Sequence, residues 1–453
     1  MAKSKSTYVC SDCGFESVKW LGKCPSCNNW NSFIEETSLK ITEKQTISAF
    51  SNFSTGSLPR NISDVNINAE SRIDLEDVEL NRVLGGGLVK GSVVLIGGEP
   101  GIGKSTLMLQ IAIKSKFSKV LYVSGEESEN QIKLRADRIG ILNENCFLLN
   151  ETNVQSILKK ADQLLPDFLI IDSIQTLFSS NIDSISGSVS QLREATSLLV
   201  QFAKEKQVPI FLIGHVTKQG TIAGPKLLEH MVDTVLHLEG DGHHIFRMLR
   251  NFKNRFGNTQ ELGIYEMNES GLNVVKNPSE SLVSSSTDNL SGISVASMTE
   301  GIRPFLIEVQ ALVSTAAYGT PQRSTNGFDS KRLNMLLAVL EKRCGFLLAT
   351  KDVFLNIAGG IHVDDTAIDL AVVSSILSSN VDIPIQDKIV FAGEVGLTGE
   401  LRQIPRLNQR IQEAEKLGYS KCIIPFMNKK IKSKNLDLIY CKSVIDLPKI
   451  LFS

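Results

Sequence analysis

The octapeptide Gly98-Glu99-Pro100-Gly101-Ile102-Gly103-Lys104-Ser105 satisfies the phosphate-loop pattern G-x-x-x-x-G-K-[ST] at every fixed position. The apolar residues 93–96 precede it and predict a buried parallel strand, and the apolar-rich segment 107–113 after it predicts a helix. A strand, a glycine loop and a helix in this order form a cradle in which backbone N–H groups and the helix N-terminus hold a phosphate. The sequence therefore predicts that the chain binds ATP or GTP.

The individual positions of the loop predict their roles. Lys104 is expected to reach the β- and γ-phosphates, and Ser105 to ligate Mg²⁺. The predicted nucleotide-binding residues are Gly98, Glu99, Pro100, Gly101, Ile102, Gly103, Lys104, Ser105 and Thr106.

Hydrolysis requires a second metal contact and a group that positions the attacking water. Asp172 ends the apolar run 168–171 and is predicted to contact the metal, usually through water. Glu126 follows the predicted strand 120–124, where a glutamate can orient the water; Glu127 is the second choice, and a pair of solvated loop acids is the non-catalytic alternative. His215, after the run 210–213, is either a sensor of the γ-phosphate or an ordinary loop histidine.

Composition restricts the classes of protein that need to be considered. The chain has 453 residues, 42% of them hydrophobic and 21% charged, which predicts two or three folded domains. The formal net charge is −1, so any contact with nucleic acid must come from local patches. The sequence has no apolar run of about 18 residues and no signal-like N-terminus, which predicts a cytoplasmic protein without a membrane partner.

Four cysteines near the start have the spacing of a metal site. Two C-x-x-C pairs predict a closed tetrahedral site for structural Zn²⁺, while the tight spacing and the absence of a secretion signal disfavour two disulfides. Trp20 and Trp30 flank the second pair and are expected to pack against this knuckle, with an exposed contact surface as the alternative. The predicted ligands are Cys10, Cys13, Cys24 and Cys27.

The pattern of apolar runs predicts an α/β fold. Runs at 120–123, 168–171 and 210–213 alternate with helical segments, which indicates a mostly parallel sheet, and later runs at 246–249 and 263–266 predict antiparallel strands at its edge. The predicted organisation is a zinc knuckle at 1–34, a linker at 35–70, a P-loop ATPase domain at 71–276, a second linker at 277–292 and a separate α/β domain at 293–453.

The segment Lys253-Asn254-Arg255-Phe256-Gly257 is a second basic motif. Lys253 and Arg255 are two residues apart, so in an extended segment they point the same way and can reach a phosphate of DNA or of a neighbouring subunit's nucleotide. Taken alone, such a segment is more often a solvated basic loop.

Taken in order, the Cys₄ knuckle, the stretch 82–88 before the phosphate loop, and the 253–257 motif make the chain resemble the bacterial RadA (Sms) family of DNA repair proteins, with a C-terminal domain like that of Lon protease. The resemblance covers nearly the whole chain. It implies a RecA-like ATPase core that assembles as a homo-oligomer, expected to be a hexameric ring, on single-stranded DNA, and that promotes branch migration with the recombinase RecA as partner. It also implies that Lys253 and Arg255 act in trans on a neighbouring subunit's ATP or couple ATP to DNA, and that loops at 179–191 and 216–226 face DNA.

The C-terminal domain departs from an active Lon-type protease. The position of the serine nucleophile holds Thr366 or Ala367, and the position of the lysine base falls at or near Asn408. A hydroxyl without such a base is a poor nucleophile, so the domain is predicted to be a ring-forming scaffold without peptidase activity. The lysines that could touch DNA, or simply be solvated, are Lys429, Lys430, Lys432 and Lys434.

The sequence thus predicts an ATP hydrolase, with Lys104, Glu126, Asp172, Lys253 and Arg255 as its catalytic set, that drives a DNA motor in homologous recombination and repair. Its cofactors would be ATP, Mg²⁺ and Zn²⁺. The alternatives are a signalling ATPase or kinase, suggested by the paired glutamates, and an ATP-dependent protease, which the missing serine and lysine disfavour.

Overall fold

The structure is a computed structural model in which the described residues form two compact units. One unit comprises Met1–Glu239 with Arg247–Val274, and the other comprises Gly240–Phe246 with Val275–Ser453. The described residues are 5–10, 15–26, 28–38, 61, 72–115, 118–140, 143–214, 227–240, 246–284, 290–316, 320–427, 431 and 433–452.

Near the N-terminus, the described residues form a small antiparallel sheet of three strands, β1 (Lys5–Cys10), β2 (Glu16–Ser17) and β3 (Phe33–Ser38), with β1 in the centre. Cys10 and Cys24 are fully buried and cluster with Phe33. Residues 35–38, which the sequence assigns to a linker, instead extend β3 because they pair with residues 5–8 of β1.

The helices and strands of the first unit follow the predicted α/β alternation. They are β4 (Arg72–Ile73), α1 (Val78–Leu84), β5 (Leu88–Val89), β6 (Val93–Gly98), α2 (Lys104–Lys114), β7 (Val120–Ser124), α3 (Glu129–Ile139), β8 (Cys146–Asn150), α4 (Val154–Leu164), β9 (Phe168–Asp172), α5 (Val189–Lys206), β10 (Ile210–Ile213), α6 (Leu227–Met231), β11 (Thr234–Gly240), β12 (Phe246–Asn254), β13 (Leu262–Asn268) and β14 (Gly271–Val274).

Among the described residues, nine of these strands form one sheet in the order β14-β13-β12-β11-β6-β10-β9-β7-β8. The strands from β11 to β8 are parallel. Alternate residues of each strand enter different cores: Val94 and Ile96 join one cluster of buried side chains, and Val93 and Leu95 join another. Both faces of the sheet are therefore covered, which explains why these strands read as continuous apolar runs.

The predicted antiparallel edge is confirmed. Arg255 lies beside Asp233, and Arg250 beside Glu239, so β12 runs in the direction opposite to β11. Strands β13 and β14 are also antiparallel, and β14 is tied to α2 by two hydrogen bonds between Gln110 and the backbone of Leu272, at 2.7 and 3.0 Å.

In the second unit, the described residues form a mixed sheet of seven strands in the order β17-β18-β16-β15-β19-β22-β23. The elements are α7 (Pro278–Leu282), β15 (Ile293–Glu300), β16 (Arg303–Thr315), β17 (Arg323–Asn326), α8 (Ser330–Val339), β18 (Lys351–Ile357), α9 (Asp369–Val381), β19 (Ile389–Phe391), β20 (Glu394–Val395), β21 (Leu401–Arg402), α10 (Leu407–Lys416), β22 (Lys421–Pro425), β23 (Asp437–Cys441) and α11 (Leu447–Phe452).

Helix α7 lies inside the segment that the sequence assigns to the second linker. Leu282 is buried, and the Ser279 hydroxyl accepts a hydrogen bond of 3.0 Å from the backbone N–H of Leu306 in β16. One apolar side chain and one buried hydroxyl thus attach this serine-rich stretch to the second unit, although its composition is typical of a linker.

Arg410 of α10 is the largest fully buried side chain of the second unit. Its guanidinium donates to the carbonyl oxygens of Ser297 and Pro405, at 2.5 and 3.1 Å, and to the hydroxyl of Thr299 at 2.9 Å. It also pairs with Asp365 Oδ2 at 2.6 Å. This one side chain therefore joins α10, β15 and the segment that contains Thr366.

Substituting Arg410 should destabilise the second unit strongly. Arg410→Met leaves the Asp365 carboxylate without its ion pair, a loss worth about 3 to 5 kcal/mol of unfolding free energy for a buried pair. Calorimetry of the full-length chain should show one thermal transition shifted down while ATP binding is retained. Gln409→Met changes an exposed neighbour on the same helix and should stay within about 0.5 kcal/mol of the unchanged chain. An unshifted transition for Arg410→Met would contradict this role.

Candidate active site

The carboxyl ends of three parallel strands bring the predicted nucleotide-binding and hydrolytic residues together. The phosphate loop follows β6, Glu126 follows β7, and Asp172 is the last residue of β9. In the register of β7 and β9, Ser124 lies opposite Asp172. The open edge at the carboxyl ends of the strands is where ligands bind in sheets of this kind.

The phosphate loop has a conformation that requires glycine. Gly103, the residue before α2, has φ +112°. Gly98 has φ +153°, and a Cβ there would lie 2.4 Å from the carbonyl oxygen of Leu238 in β11. The backbone is thus left uncovered where it must wrap around a phosphate.

Lys104 is buried at the first turn of α2, and its amine is held by the loop itself. Nζ donates to the carbonyl oxygens of Gly98 and Glu99, at 2.7 and 2.9 Å. Burial lowers the pKa of Lys104 to about 8, while the negative charges of Asp172 and Glu126 act in the opposite direction. Both carboxylates are therefore close enough for their fields to act on the amine.

The two adjacent glutamates have different partners. Glu126 Oε1 accepts a hydrogen bond of 2.7 Å from the hydroxyl of Ser173, the residue after Asp172. Glu127 instead forms an ion pair with Arg135 of α3. The structure thus holds Glu126 beside Asp172 and directs Glu127 towards a helix.

Asp172 is 6% exposed and accepts a hydrogen bond of 2.6 Å from the Tyr122 hydroxyl. Its carboxylate, together with the Ser105 hydroxyl at the start of α2, supplies the oxygen ligands that Mg²⁺ prefers. The residues present therefore fit an ATP·Mg²⁺ complex.

The 253–257 motif lies near the start of β6, at the edge of the sheet opposite the phosphate loop. Lys253 Nζ donates to the carbonyl oxygens of Glu229 and Val232, at 2.7 and 2.9 Å. The Arg255 side chain is 56% exposed and lies 3.3 Å from Asp233, whose other oxygen accepts a hydrogen bond from the N–H of Val93 at the start of β6. The six residues of β6, about 20 Å at the usual rise of a strand, separate this motif from the chain's own phosphate loop.

The sequence analysis missed three side chains at the site. Tyr122 and Arg135 contact Asp172 and Glu127, and Arg247 of β12 donates from Nε to the Ile102 carbonyl of the phosphate loop at 3.1 Å. A tyrosine in an otherwise aliphatic buried strand, two residues before its polar end, is a signal that could have identified Tyr122. The partners of the two arginines come from distant or exposed positions, so the sequence offers no comparable signal for them.

Two predicted DNA-facing loops have different outcomes. In the loop at 179–191, the Gln191 side chain donates to the carbonyl oxygens of Ser179, Ile182 and Ser184, which holds the loop against the start of α5. The loop at 216–226 and His215 lie outside the described residues, as do the lysines Lys429, Lys430 and Lys432.

Two of the four predicted zinc ligands can be located. Cys10 and Cys24 are fully buried, which suits thiolates shielded around a structural metal, and Cys10 Sγ lies 3.2 Å from the Ser32 hydroxyl. Cys13 and Cys27 lie outside the described residues, within which no group of three or more His, Cys, Asp or Glu side chains is arranged to hold a metal.

The structure favours the alternative for the two tryptophans, an exposed surface, although both rings lie against Gly22 of the knuckle. Trp20 is 53% exposed and Trp30 is 71% exposed. The Lys23 ammonium lies 5.7 Å from the centre of the Trp30 ring, and the small core around the cysteines is filled by Phe33 and Tyr8 instead. A sheet of this size has too little interior to hold two indole rings.

In the second unit, the Thr366 hydroxyl donates to Glu394 at 2.9 Å, and the neighbouring Ala367 is fully buried. Asn408, at the expected lysine position, is exposed on the first turn of α10. Within the described part of the chain, no lysine hydrogen-bonds Thr366. A hydroxyl bonded to a carboxylate, with no amine base, does not have the arrangement of a Ser–Lys dyad.

These features define the class of protein: a P-loop ATPase with a RecA-like core, a zinc ribbon before it and a Lon-like domain after it. The chain matches three families, described as "Rubredoxin metal binding domain" over residues 8–35, "AAA domain" over 64–221 and "Subunit ChlI of Mg-chelatase" over 311–428. No helix within the described residues has the length and apolar character needed to cross a membrane.

Full-length relatives give the family. The chain is 50% identical over 430 residues to the DNA repair protein RadA of Bacillus subtilis, and 48% identical over 432 residues to that of Listeria monocytogenes. Each match covers 94% of both chains. The chain belongs to the family of bacterial RadA proteins.

Two solved structures resemble part of the chain. The RadB recombinase is 20% identical with a TM-score of 0.37, and the KaiC-like protein PH0186 of Pyrococcus horikoshii is 19% identical with a TM-score of 0.39. Each match covers 45% of this chain and 99% of the other.

The lowered pKa of Lys104 predicts that nucleotide binding depends on pH. Phosphate charges favour the protonated amine, so binding must take up a proton once the pH exceeds about 8. Affinity for a non-hydrolysable ATP analogue with Mg²⁺ should fall about tenfold between pH 7 and pH 9, since the protonated fraction falls by that factor.

Isothermal titration in two buffers of different ionisation enthalpy measures both the affinity and the proton uptake. Lys104→Arg keeps its charge at both pH values and should bind the analogue with little dependence on pH. Equal affinity of the unchanged chain at pH 7 and pH 9, without proton uptake, would show that Lys104 is already charged in the free protein.

Proposed function

We propose that this chain is an ATP-driven DNA motor, which acts on single-stranded and branched DNA in homologous recombination and repair and promotes branch migration. The observation that carries the proposal is the convergence of Lys104, Glu126 and Asp172 at the carboxyl edge of the parallel sheet. A protein that only binds nucleotide does not need a water-positioning carboxylate beside the metal ligand. The relatives that match over 94% of this chain are named DNA repair proteins.

Each residue has a step in the proposed hydrolysis. Lys104 exchanges the carbonyl oxygens of Gly98 and Glu99 for the β- and γ-phosphate oxygens. Ser105 and Asp172 would hold Mg²⁺, which when bound would supply positive charge beside the phosphates. Glu126 accepts a hydrogen bond from the attacking water and aims it at the γ-phosphorus.

Assembly completes the proposed site. Arg255 is exposed at the sheet edge opposite the phosphate loop, too far away to touch the nucleotide of its own subunit. A head-to-tail ring would carry this edge to the neighbour's phosphate loop, and we propose a hexamer in which Lys253 and Arg255 act in trans. In this scheme the protein works in the cytoplasm with a RecA recombinase as partner.

The competing functions lack support from specific contacts. A protease would need an amine beside Thr366, whose hydroxyl is bonded to Glu394. A signalling ATPase would use the paired glutamates in the same way as a motor, so DNA dependence is the property that separates these two functions.

Steady-state ATP turnover of the full-length chain, with and without single-stranded DNA, tests the proposal. DNA should stimulate the unchanged chain; Lys104→Ala should abolish turnover; and Lys253→Ala should lose the stimulation. Lys206→Ala removes a surface lysine that pairs with exposed Asp162 and should behave like the unchanged chain. If DNA does not change the turnover of the unchanged chain or of any variant, the signalling ATPase is favoured.

Mixing Lys104→Ala with Lys253→Ala, neither of which should show DNA-stimulated turnover alone, tests action in trans. Subunits with Lys104→Ala still supply Lys253, and subunits with Lys253→Ala still supply Lys104, so mixed rings regenerate some complete sites. Stimulated turnover should reappear on mixing. If mixing recovers none of it, Lys253 does not act on the neighbouring subunit's nucleotide.

We also propose that the N-terminal unit holds one Zn²⁺ on Cys10, Cys13, Cys24 and Cys27. The chain purified without chelators should contain about one zinc per subunit, and Cys24→Ser should lose most of it, because three thiolates bind zinc less tightly than four. Cys146→Ser is the control, since burial raises the pKa of the Cys146 thiol to about 11 and keeps it protonated. Equal zinc content in Cys24→Ser and the unchanged chain would refute the site.

A further inference from the structure

We propose that Tyr122 and Arg135 are positioning residues of the ATPase site, which link Glu127 to Asp172 and hold the metal-binding carboxylate in one orientation. The inference rests on the proposed ATP hydrolysis and deepens it. It concerns two side chains that neither bind the nucleotide nor belong to the phosphate loop.

The first contact lies inside the sheet. Tyr122 of β7 is opposite Ile170 of β9, two residue pairs before Ser124 and Asp172, and the alternation of a strand puts Tyr122 and Asp172 on the same face. The tyrosine is fully buried, and its Oη donates to Asp172 Oδ2 at 2.6 Å. Burial and the charge of Asp172 raise the pKa of Tyr122 well above its usual value, so the hydroxyl stays a neutral donor.

The second contact connects the sheet with α3. Arg135 lies beside the Tyr122 hydroxyl, where its charge lowers the pKa of Tyr122 against the effect of burial, and it forms the ion pair with Glu127. The helix that carries Arg135 starts with a capping box between Ser128 and Gln131, which fixes its first turn directly after the glutamates. The arginine is thus attached to both the helix and the loop after β7.

Together with the bond from Ser173 to Glu126, these contacts tie the 126–127 segment to the end of β9 twice. One connection runs through Glu127, Arg135 and Tyr122 to Asp172, and the other runs from Glu126 to Ser173. The carboxylate that holds the metal and the carboxylate that positions water are then kept at a fixed separation. Loss of the Tyr122 hydroxyl should free Asp172 to rotate, and this freedom should lower the affinity of the site for Mg²⁺.

Tyr122→Phe tests this inference because it removes one oxygen and keeps the buried ring. Two quantities are measured on the full-length chain. The first is the Mg²⁺ concentration that gives half of the maximal binding signal of a fluorescent ATP analogue, and the second is the Mg²⁺ concentration that gives half of the maximal ATP turnover. We expect the half-saturating concentration to rise about tenfold, the scale of one hydrogen bond to a charged group. Binding of the analogue in EDTA should be unchanged, since the phosphate loop is intact.

Tyr265→Phe is the matched control. Tyr265 is also buried in this sheet and donates to a buried aspartate, Asp77, at 2.8 Å, but this pair lies at the start of α1. The control should lose similar thermal stability and keep the normal Mg²⁺ requirement. A normal Mg²⁺ requirement in Tyr122→Phe, or an equal shift in Tyr265→Phe, would overturn the inference.

Arg135→Gln provides a second route if Tyr122→Phe does not fold. It should raise the Mg²⁺ requirement in the same direction, and the double variant should exceed the larger single effect only slightly, because both changes break one connection. Additive effects would show that Arg135 and Tyr122 act separately, against the inference. The Mg²⁺ titration of analogue binding does not depend on ATP turnover. If the unchanged chain does not hydrolyse ATP, the proposed function is refuted, but the titration still tests the inference.

Discussion

The parallel alignment of β6, β9 and β7 is the constraint on which the candidate active site depends. Because the three strands end at the same edge of the sheet, the phosphate loop at 98–105, Glu126 and Asp172 become neighbours. Complete burial of the strands on both faces holds that edge in place. The buried amine of Lys104, whose pKa responds to the charges of both acids, reflects how closely the three groups are gathered.

The same alignment separates Lys104 of the phosphate loop from the basic 253–257 motif. Strand β12 runs against its neighbour β11, so its last residues return to the edge where β6 starts, away from the phosphate loop. An antiparallel strand added to a parallel sheet therefore places basic residues at the edge opposite the phosphate loop. The proposed motor uses this polarity, because one subunit's basic edge can serve the next subunit's nucleotide.

The second unit keeps the fold of a Lon-like domain while its side chains serve other purposes. Thr366 is bonded to Glu394, and the adjacent Asp365 is neutralised by fully buried Arg410. A region that would hold a nucleophile and its base in a peptidase is instead crossed by ion pairs and hydrogen bonds that join α10 to β15.

By itself, the sequence determined the fold class, the phosphate loop, the buried strands and the antiparallel edge, because these depend on local patterns of glycine, apolar side chains and strand ends. It also pointed to Asp172, which directly follows an apolar run, and to Glu126, which follows the strand 120–124. It did not reveal that α7 packs into the second unit, that the two tryptophans are exposed, or that Tyr122 and Arg135 connect Glu127 to Asp172. Those outcomes rest on contacts between residues far apart in the chain or on the room available in a small core, and only the tertiary structure decides which distant side chains meet.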